Sequence, residues 1–464
     1  MRMNKFEKQI VNDINSSMWP GDIYSYPHNA SYKKIEVDLI KTWEDEKNIN
    51  IYIHIPFCKS KCAYCGLLSL AMDKHSSICQ RDYIEKYVAT LIRDIKYFSS
   101  ILKDVKIHGI FFGGGTPNML MFEQVYEILQ AIEIHFSQNL ATVDICFETS
   151  PSLLTPDYIF NLKSSNVNRI SMGIQSFNEN ELKIANRENI FKNIYDAVDS
   201  CHQYDLKFNI DLIIGLPKQT EENMWDSISS TIKLKPQSIA LYPLTLVIDT
   251  PLDISGDYEG ALSPEGKYRM FPEIYKFMSE SNYTQQSNMS FIQSEYFDKC
   301  KSMYLKVGSL DPKISTLGLG AGARSYAGKI HYSSSYSLQQ NEIVSIVDSY
   351  LGTEVTKREY EGIEVSIEEN KRRYIMLTLT DGGMDISDYY LKFGTDVFLD
   401  FADEFLALNN LDLVTIDGNW LRLSAKGFIY ADIISNIFVS PSVRRKYVRS
   451  IIDNVKKKGQ LPLS

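Results

Sequence analysis

Six short apolar runs, rich in β-branched and aromatic residues, recur along the first half of the chain with longer amphipathic stretches between them, and this alternation limits the fold more than any other feature. The runs are Ile51-Tyr52-Ile53-His54-Ile55, Gly109-Ile110-Phe111-Phe112, Asp144-Ile145-Cys146-Phe147-Glu148, Arg169-Ile170-Ser171-Met172-Gly173, Phe208-Asn209-Ile210-Asp211-Leu212-Ile213-Ile214 and Ile239-Ala240-Leu241-Tyr242. Each has strand length, and the near-continuous apolar character is that of strands buried on both faces of a parallel sheet. Between them, 84–102, 122–135 and 193–202 carry apolar residues at three- and four-residue steps, which predicts helices. Thr155-Pro156 reads as an N-cap followed by proline at the first helical position. A β/α unit repeated six times predicts an α/β fold, a partial (β/α)6 barrel, whose chemistry collects where the strands end at their carboxyl side.

The chain has 464 residues, with 49 Lys and Arg against 58 Asp and Glu, a net charge of −9, and it is 44% hydrophobic and 23% charged. These proportions fit a soluble globular protein and exclude disorder, collagen and coiled coil as overall descriptions. No stretch approaches the roughly 18 apolar residues of a membrane span, and Met1-Arg2-Met3-Asn4-Lys5-Phe6-Glu7 lacks the apolar core of a signal peptide, so a cytoplasmic location is expected. An acidic balance gives no footprint for nucleic acid or a membrane surface, which leaves a small-molecule substrate.

The expected organisation is a Tyr-rich arm at 1–48, the barrel at 49–330, a connector at 331–364 and a small winged-helix-like α+β domain covering the substrate at 365–464. The arm contains Tyr24-Ser25-Tyr26-Pro27-His28-Asn29-Ala30-Ser31-Tyr32, read as aromatics packing along the barrel. Ile416-Asp417-Gly418-Asn419-Trp420 reads as a hairpin turn, and the basic residues Arg444-Arg445-Lys446 and Lys456-Lys457-Lys458 as a solvated terminal helix.

Four of the seven cysteines, Cys79, Cys146, Cys201 and Cys300, are scattered singly, as small buried hydrophobes are. Cys58, Cys62 and Cys65 instead form a Cx3Cx2C cluster directly after the first strand. Three thiolates converging from one loop suit a soft metal centre, and zinc would want a fourth Cys or His nearby with finger-like spacing, which is absent. Three ligands leave one iron of a [4Fe-4S] cube open. The amine and carboxylate of an amino acid chelate such an iron, and S-adenosylmethionine (SAM) is the matching ligand.

At this point the chain resembles the radical SAM enzymes, and within them the oxygen-independent coproporphyrinogen III dehydrogenase family. The resemblance is carried by Tyr52-Ile-His54-Ile-Pro-Phe-Cys58, Gly113-Gly114-Gly115-Thr116-Pro117, Ser171-Met-Gly173-Ile-Gln175-Ser-Phe, Asn209-Ile-Asp211-Leu-Ile-Ile-Gly215-Leu-Pro217 and Leu317-Gly-Leu-Gly320-Ala-Gly-Ala-Arg324-Ser-Tyr326, in family order. It implies that Cys58, Cys62 and Cys65 hold the cluster and that Gly114, Gly115 and Thr116 hold the methionine end of SAM, the glycines also offering amide donors to its carboxylate. Glu148 is implied to accept from the SAM ammonium or ribose and, with Tyr52, to be catalytic. Tyr52 and Tyr64 are placed beside the adenine. Gln175, Arg187 and Asp211 match positions of a second SAM site, and Thr245 and Arg324 are carried over as further cofactor contacts.

Two departures stand out. The dehydrogenases have another Cys two positions after the third ligand, where this chain reads Cys65-Gly66-Leu67, and their loop after the sixth strand is replaced by Tyr242-Pro243-Leu244-Thr245-Leu246 through Thr250-Pro251-Leu252. That loop, with Ala323-Arg324-Ser325-Tyr326 and His331-Tyr332-Ser333, looks closer to the branch that includes the class C radical SAM methyltransferases. The resemblance thus predicts two SAM molecules: one yields a 5′-deoxyadenosyl radical, which takes hydrogen from the methyl group of the other, and methylation or cyclopropanation of an sp2 carbon follows. Held 3 to 3.5 Å apart, roughly, the reacting atoms meet in an effectively unimolecular step. The alternatives are oxidative decarboxylation of a porphyrinogen propionate, a heme chaperone with His28 or His331 on the iron, and anaerobic heme ring opening. An electron donor such as flavodoxin is implied as partner.

Overall fold

A computed structural model describes residues 3–16, 26–28, 31–74, 80–187, 191–257, 259, 263–296 and 314–457. The expectations on Tyr24, Cys79, Cys300 and Lys458 fall outside them.

All six apolar runs are strands: β1 Asn48–Ile55, β2 Lys106–Gly114, β3 Asp144–Thr149, β4 Arg169–Gln175, β5 Lys207–Ile214 and β6 Ser238–Pro243. They lie side by side in chain order, every neighbouring pair parallel. Parity along each strand separates two environments. In β1, Ile49, Ile51, Ile53 and Ile55 are at most 1% exposed and belong to the main core. Helix Gln80–Ile101 packs its own apolar stripe, Tyr87, Leu91 and Ile95, into that core. Asn50, Tyr52 and His54, the alternate positions, fall on the opposite face. The same alternation puts Glu148, Ser171, Asn209 and Asp211 on that inner face, where Ser171 and Asn209 reach the Asp211 carboxylate. Polar residues interrupting otherwise apolar strands therefore mark the barrel lumen.

The predicted helices are Gln80–Ile101, Phe122–His135 and Phe191–Gln203, and Thr155 caps Pro156–Ser164 by accepting from the Tyr158 amide. The sheet does not close. Ser315–Leu319 adds a parallel strand beside β1, and antiparallel strands Arg324–Ala327, Ile330–Ser333 and Tyr360–Glu364 extend that edge to Lys33–Ile35. At the other edge Ser290–Gln293 and Tyr283–Gln285 continue from β6. A three-residue strand of the arm thus lies on the same sheet as the connector.

A second core gathers Tyr374, Leu379, Tyr389, Leu408 and Ile434 of the C-terminal region with Ile10 and Tyr26. The Tyr26 hydroxyl donates to Glu369, and the Ser440 amide donates to Tyr26 at 3.0 Å. These arm residues therefore pack into the C-terminal core rather than along the barrel. That region has a three-stranded sheet, and its hairpin Val414–Asp417/Trp420–Leu423 turns at Gly418 (φ 59°), a left-handed position that favours glycine. The basic residues at 444–446 lie on helix Pro441–Lys457, with Arg445 and Lys446 exposed. No described helix is long and apolar enough to cross a membrane.

The connector is tied to the barrel by a buried ion pair. Asp94, 1% exposed, takes the Arg358 guanidinium in bidentate fashion at 2.5 and 3.0 Å and the Tyr350 hydroxyl at 2.8 Å. Removing one partner strands a buried charge. Asp94→Asn is expected to cost about 3 to 5 kcal/mol, read as a lowered denaturant midpoint, and Asp94→Leu combined with Arg358→Met should recover most of it.

Candidate active site

Beyond the carboxyl end of β1 the chain makes a two-residue strand, Phe57–Cys58, paired with Leu70–Ala71, and the loop between carries Cys62 and Cys65. The loop is anchored from outside. Ala63 donates to the Ala185 carbonyl at 2.9 Å, Leu252 to the Ala63 carbonyl at 2.8 Å, and Asn186 Nδ2 to the Lys61 carbonyl at 2.7 Å. All three thiols are free and line one cavity of about 410 Å³. Cys58 Sγ accepts from Thr116 Oγ1 at 3.4 Å and Cys62 Sγ from Arg187 Nη1 at 3.5 Å.

Gly114, Gly115 and Thr116 reach the same cavity from the end of β2. A β-carbon on Gly115 would lie 2.7 Å from the Phe57 carbonyl oxygen and 3.0 Å from Cys58 Sγ, and Gly114 combines φ 108° with a His54 ring 2.5 Å from where its β-carbon would be. Only glycine lets this turn close on the cysteine strand. Its amides, however, are already engaged: Gly114 donates to Glu148 Oε2 at 3.3 Å, Gly115 to the Ile55 carbonyl and Thr116 to the Phe57 carbonyl, both at 2.8 Å. The amide donors expected for a ligand carboxylate are therefore spent on Glu148, on the end of β1 and on the short strand after it. The loop contributes closeness instead.

Glu148, Gln175, Arg187, Asp211 and Tyr64 also line the cavity. Burial, reinforced by the Asp211 carboxylate, pushes the Glu148 carboxyl up to about 8. Burial also raises Asp211, against the hydroxyl of Ser171 at 3.0 Å and the amide of Asn209 at 2.7 Å. Gln175 ends β4 at φ 73°, after a bulge at Gly173, and Arg187 Nη2 donates to the Gly173 carbonyl. Arg187 Nε is buried with no hydrogen-bond partner.

Tyr52, Thr245 and Arg324 do not line this cavity. Tyr52 lies behind Gly113, whose β-carbon would be 3.1 Å from its ring, and stacks on Phe111. Its hydroxyl donates to His54 Nδ1 at 3.0 Å while His54 Nε2 donates to the Leu68 carbonyl at 2.8 Å, and burial holds that imidazole neutral with its pKa down to about 4. Thr245 turns back to the Pro243 carbonyl at 3.5 Å. The Arg324 guanidinium sits over the Tyr336 ring at 5.6 Å. The two histidines considered for heme are also elsewhere: His28 packs edge-on against Tyr447 at 4.6 Å, and His331, 2% exposed, packs against Tyr326 at 4.9 Å. Sequence reasoning missed Thr149, Ser150 and Ser171 on the cavity wall. Strand parity would have found Ser171, a polar residue in step with Gly173; the other two follow a strand end and carry no such signal.

Residues 52–230 match the Radical SAM superfamily. The heme chaperone HemW of Haemophilus influenzae is 31% identical over 280 residues, 59% of this chain and 69% of that protein. The chain belongs to this radical SAM family. The oxygen-independent coproporphyrinogen III oxidase of Salmonella typhimurium is 29% identical over 233 residues, 47% of this chain and 49% of its own. The coproporphyrinogen III oxidase (HemN) of Escherichia coli has the same fold, with a TM-score of 0.72 at 21% identity over 89% of this chain and 96% of that one.

Membership in the radical SAM superfamily implies a [4Fe-4S] cluster and SAM, and the cavity fits both. Among the described residues no three His, Cys, Asp or Glu side chains converge where one metal ion could sit. What fits a cluster is that all three soft thiols are free and line the same cavity. Cys58, Cys62 and Cys65 would each hold one iron, and the lining residues Glu148 and Arg187 would face a polar ligand beside them. The relatives named here are heme chaperones and coproporphyrinogen oxidases, so the methyl-transfer expectation draws no support from them and the tetrapyrrole alternatives are better backed.

Proposed function

We propose that this protein uses radical SAM chemistry on a carboxylate-bearing tetrapyrrole, taking hydrogen from a propionate side chain of a porphyrinogen so that carbon dioxide is lost and one electron passes to an external acceptor. The observation that carries the reading is one cavity lined by three free thiols together with Glu148, Gln175, Arg187 and Asp211, in a chain similar to proteins named for coproporphyrinogen and heme. Held by Cys58, Cys62 and Cys65 with SAM beside it, a [4Fe-4S] cluster would supply one-electron chemistry capable of hydrogen abstraction from unactivated carbon.

This chain's residues do the rest. Gly115 keeps the backbone clear of the Cys58 thiol, and Thr116 Oγ1 orients that thiol. Glu148, poised near neutral pH, accepts from a cationic or hydroxylic ligand group and releases its own proton when that group binds. Arg187 lines the cavity, held by its Nη bonds to Gly173 and Cys62, and brings a fixed positive charge that favours a carboxylate there.

The test is anaerobic turnover of reconstituted protein with SAM, a reductant and coproporphyrinogen III. Formation of 5′-deoxyadenosine together with carbon dioxide is expected. Tight heme binding without SAM cleavage would move the protein to the chaperone reading, and S-adenosylhomocysteine to methyl transfer. Either outcome overturns the proposal.

A further inference from the structure

Lys61 stands inside the cysteine loop, between Cys58 and Cys62, yet it is only 6% exposed. Its Nζ donates to the Leu67 carbonyl at 2.5 Å and to Ser69 Oγ at 2.7 Å. The segment from Gly66 to Ser69 is neither helix nor strand, so its carbonyls need outside partners. Four side chains serve four successive carbonyls: Tyr336 donates to Gly66, Lys61 to Leu67, His54 to Leu68 at 2.8 Å and Gln340 to Ser69 at 3.0 Å. Of these donors Lys61 alone brings a charge. A neutral donor would cap Leu67 as well, and a buried ammonium is costly unless something of opposite sign lies near. Lys61 lies between Cys58 and Cys62 in the chain and its Nζ is bound by Leu67 and Ser69, just beyond Cys65, so the ammonium is enclosed by the loop that carries all three cluster ligands.

We propose that Lys61 tunes the cluster: its fixed ammonium, enclosed in the loop that bears Cys58, Cys62 and Cys65, stabilises the extra electron of the reduced cluster and raises its reduction potential. One electron arrives from the reductant, the cluster becomes more negative by one charge, and no bond is made or broken. A cation held in a poorly solvated loop acts on that charge with little screening. The inference rests on the cluster that family membership implies and on no choice of substrate.

An EPR-monitored redox titration of anaerobically reconstituted protein tests it, with dithionite as reductant and iron and sulfide counted. Lys61→Met should lower the ratio of reduced to oxidised cluster at a given potential about tenfold, a downward midpoint shift of about 59 mV for a one-electron couple. Lys61→Arg keeps the charge and should keep the midpoint, and Ser69→Ala, which removes one acceptor and no charge, should keep it too. A fully loaded Lys61→Met with the wild-type midpoint overturns the proposal, as does a Ser69→Ala shift equal to that of Lys61→Met. Should Lys61→Met fail to load, Lys61→Gln decides: a loaded cluster with a lowered midpoint supports tuning, whereas a wild-type midpoint, or loss of the cluster in both neutral variants but not in Lys61→Arg, assigns Lys61 to loop structure. Colourless wild-type protein would overturn the cluster assignment itself.

Discussion

Alanine at Cys58, Cys62 or Cys65 is expected to abolish the iron-sulfur cluster and with it all 5′-deoxyadenosine formation, while the chain stays folded. Three thiolates are the whole protein ligand set that this loop offers, and losing one leaves an iron held by sulfide and solvent alone. The fold does not depend on these side chains. They face the cavity from a loop whose own anchors, the Ala63–Ala185 and Asn186–Lys61 hydrogen bonds, use backbone atoms of the loop. The stability cost should stay within about 1 kcal/mol by thermal melting of the metal-free protein. Cys146→Ala and Cys201→Ala are the discriminating controls. Both thiols are buried away from the cavity and are expected to leave iron content unchanged, at a cost of about 1 to 3 kcal/mol in stability. Full iron and sulfide content in any of the three loop variants would refute the assignment.

The part of the molecule that is legible in sequence is the part governed by short-range pattern. Each of the six strands has one periodic apolar run as its signal, and the 122–135 helix was readable from its spacing alone because Phe122–His135 has a single buried stripe. The cysteine loop was readable because soft ligands at fixed spacing have few other uses. What escaped depends on pairing between distant segments. Lys33–Ile35 is a strand only because Tyr360–Glu364 supplies its partner, and Tyr26 is a core residue only because Glu369 accepts from its hydroxyl and the Ser440 amide donates to it. The capture of the Gly114–Thr116 amides by Glu148, Ile55 and Phe57 is of the same kind. A glycine run states that backbone comes close to something; it does not state what.

Glu148→Gln should separate the two things this carboxyl does. Its pKa is raised from 4.5 to about 8, first by burial and then by Asp211, so between those values the unfolded chain has lost a proton that the folded chain retains. The folded state then binds more protons, and the stability of the ligand-free protein must fall as pH rises from about 4.5 to about 8, with the whole penalty present above 8. At about 1.4 kcal/mol per pKa unit the bound is roughly 5 kcal/mol, and water in the cavity reduces it. The neutral amide has nothing to ionise. Glu148→Gln should therefore match the wild type in denaturation at pH 4.5 and exceed it by several kcal/mol near pH 8.5, leaving the smaller loss from Asp211, which burial shifts in the same direction. Binding should move the opposite way. An ionised Glu148 makes a charge-assisted bond to a cationic or hydroxylic ligand, worth about 1.5 to 3 kcal/mol, so the variant should bind SAM roughly 10- to 100-fold more weakly, and wild-type binding at pH 7 should release a proton that the variant does not. Calorimetry in two buffers of different ionisation enthalpy measures that proton directly. Equal proton release by both proteins would place the titrating group elsewhere, and unchanged affinity would remove Glu148 from the ligand's contacts altogether.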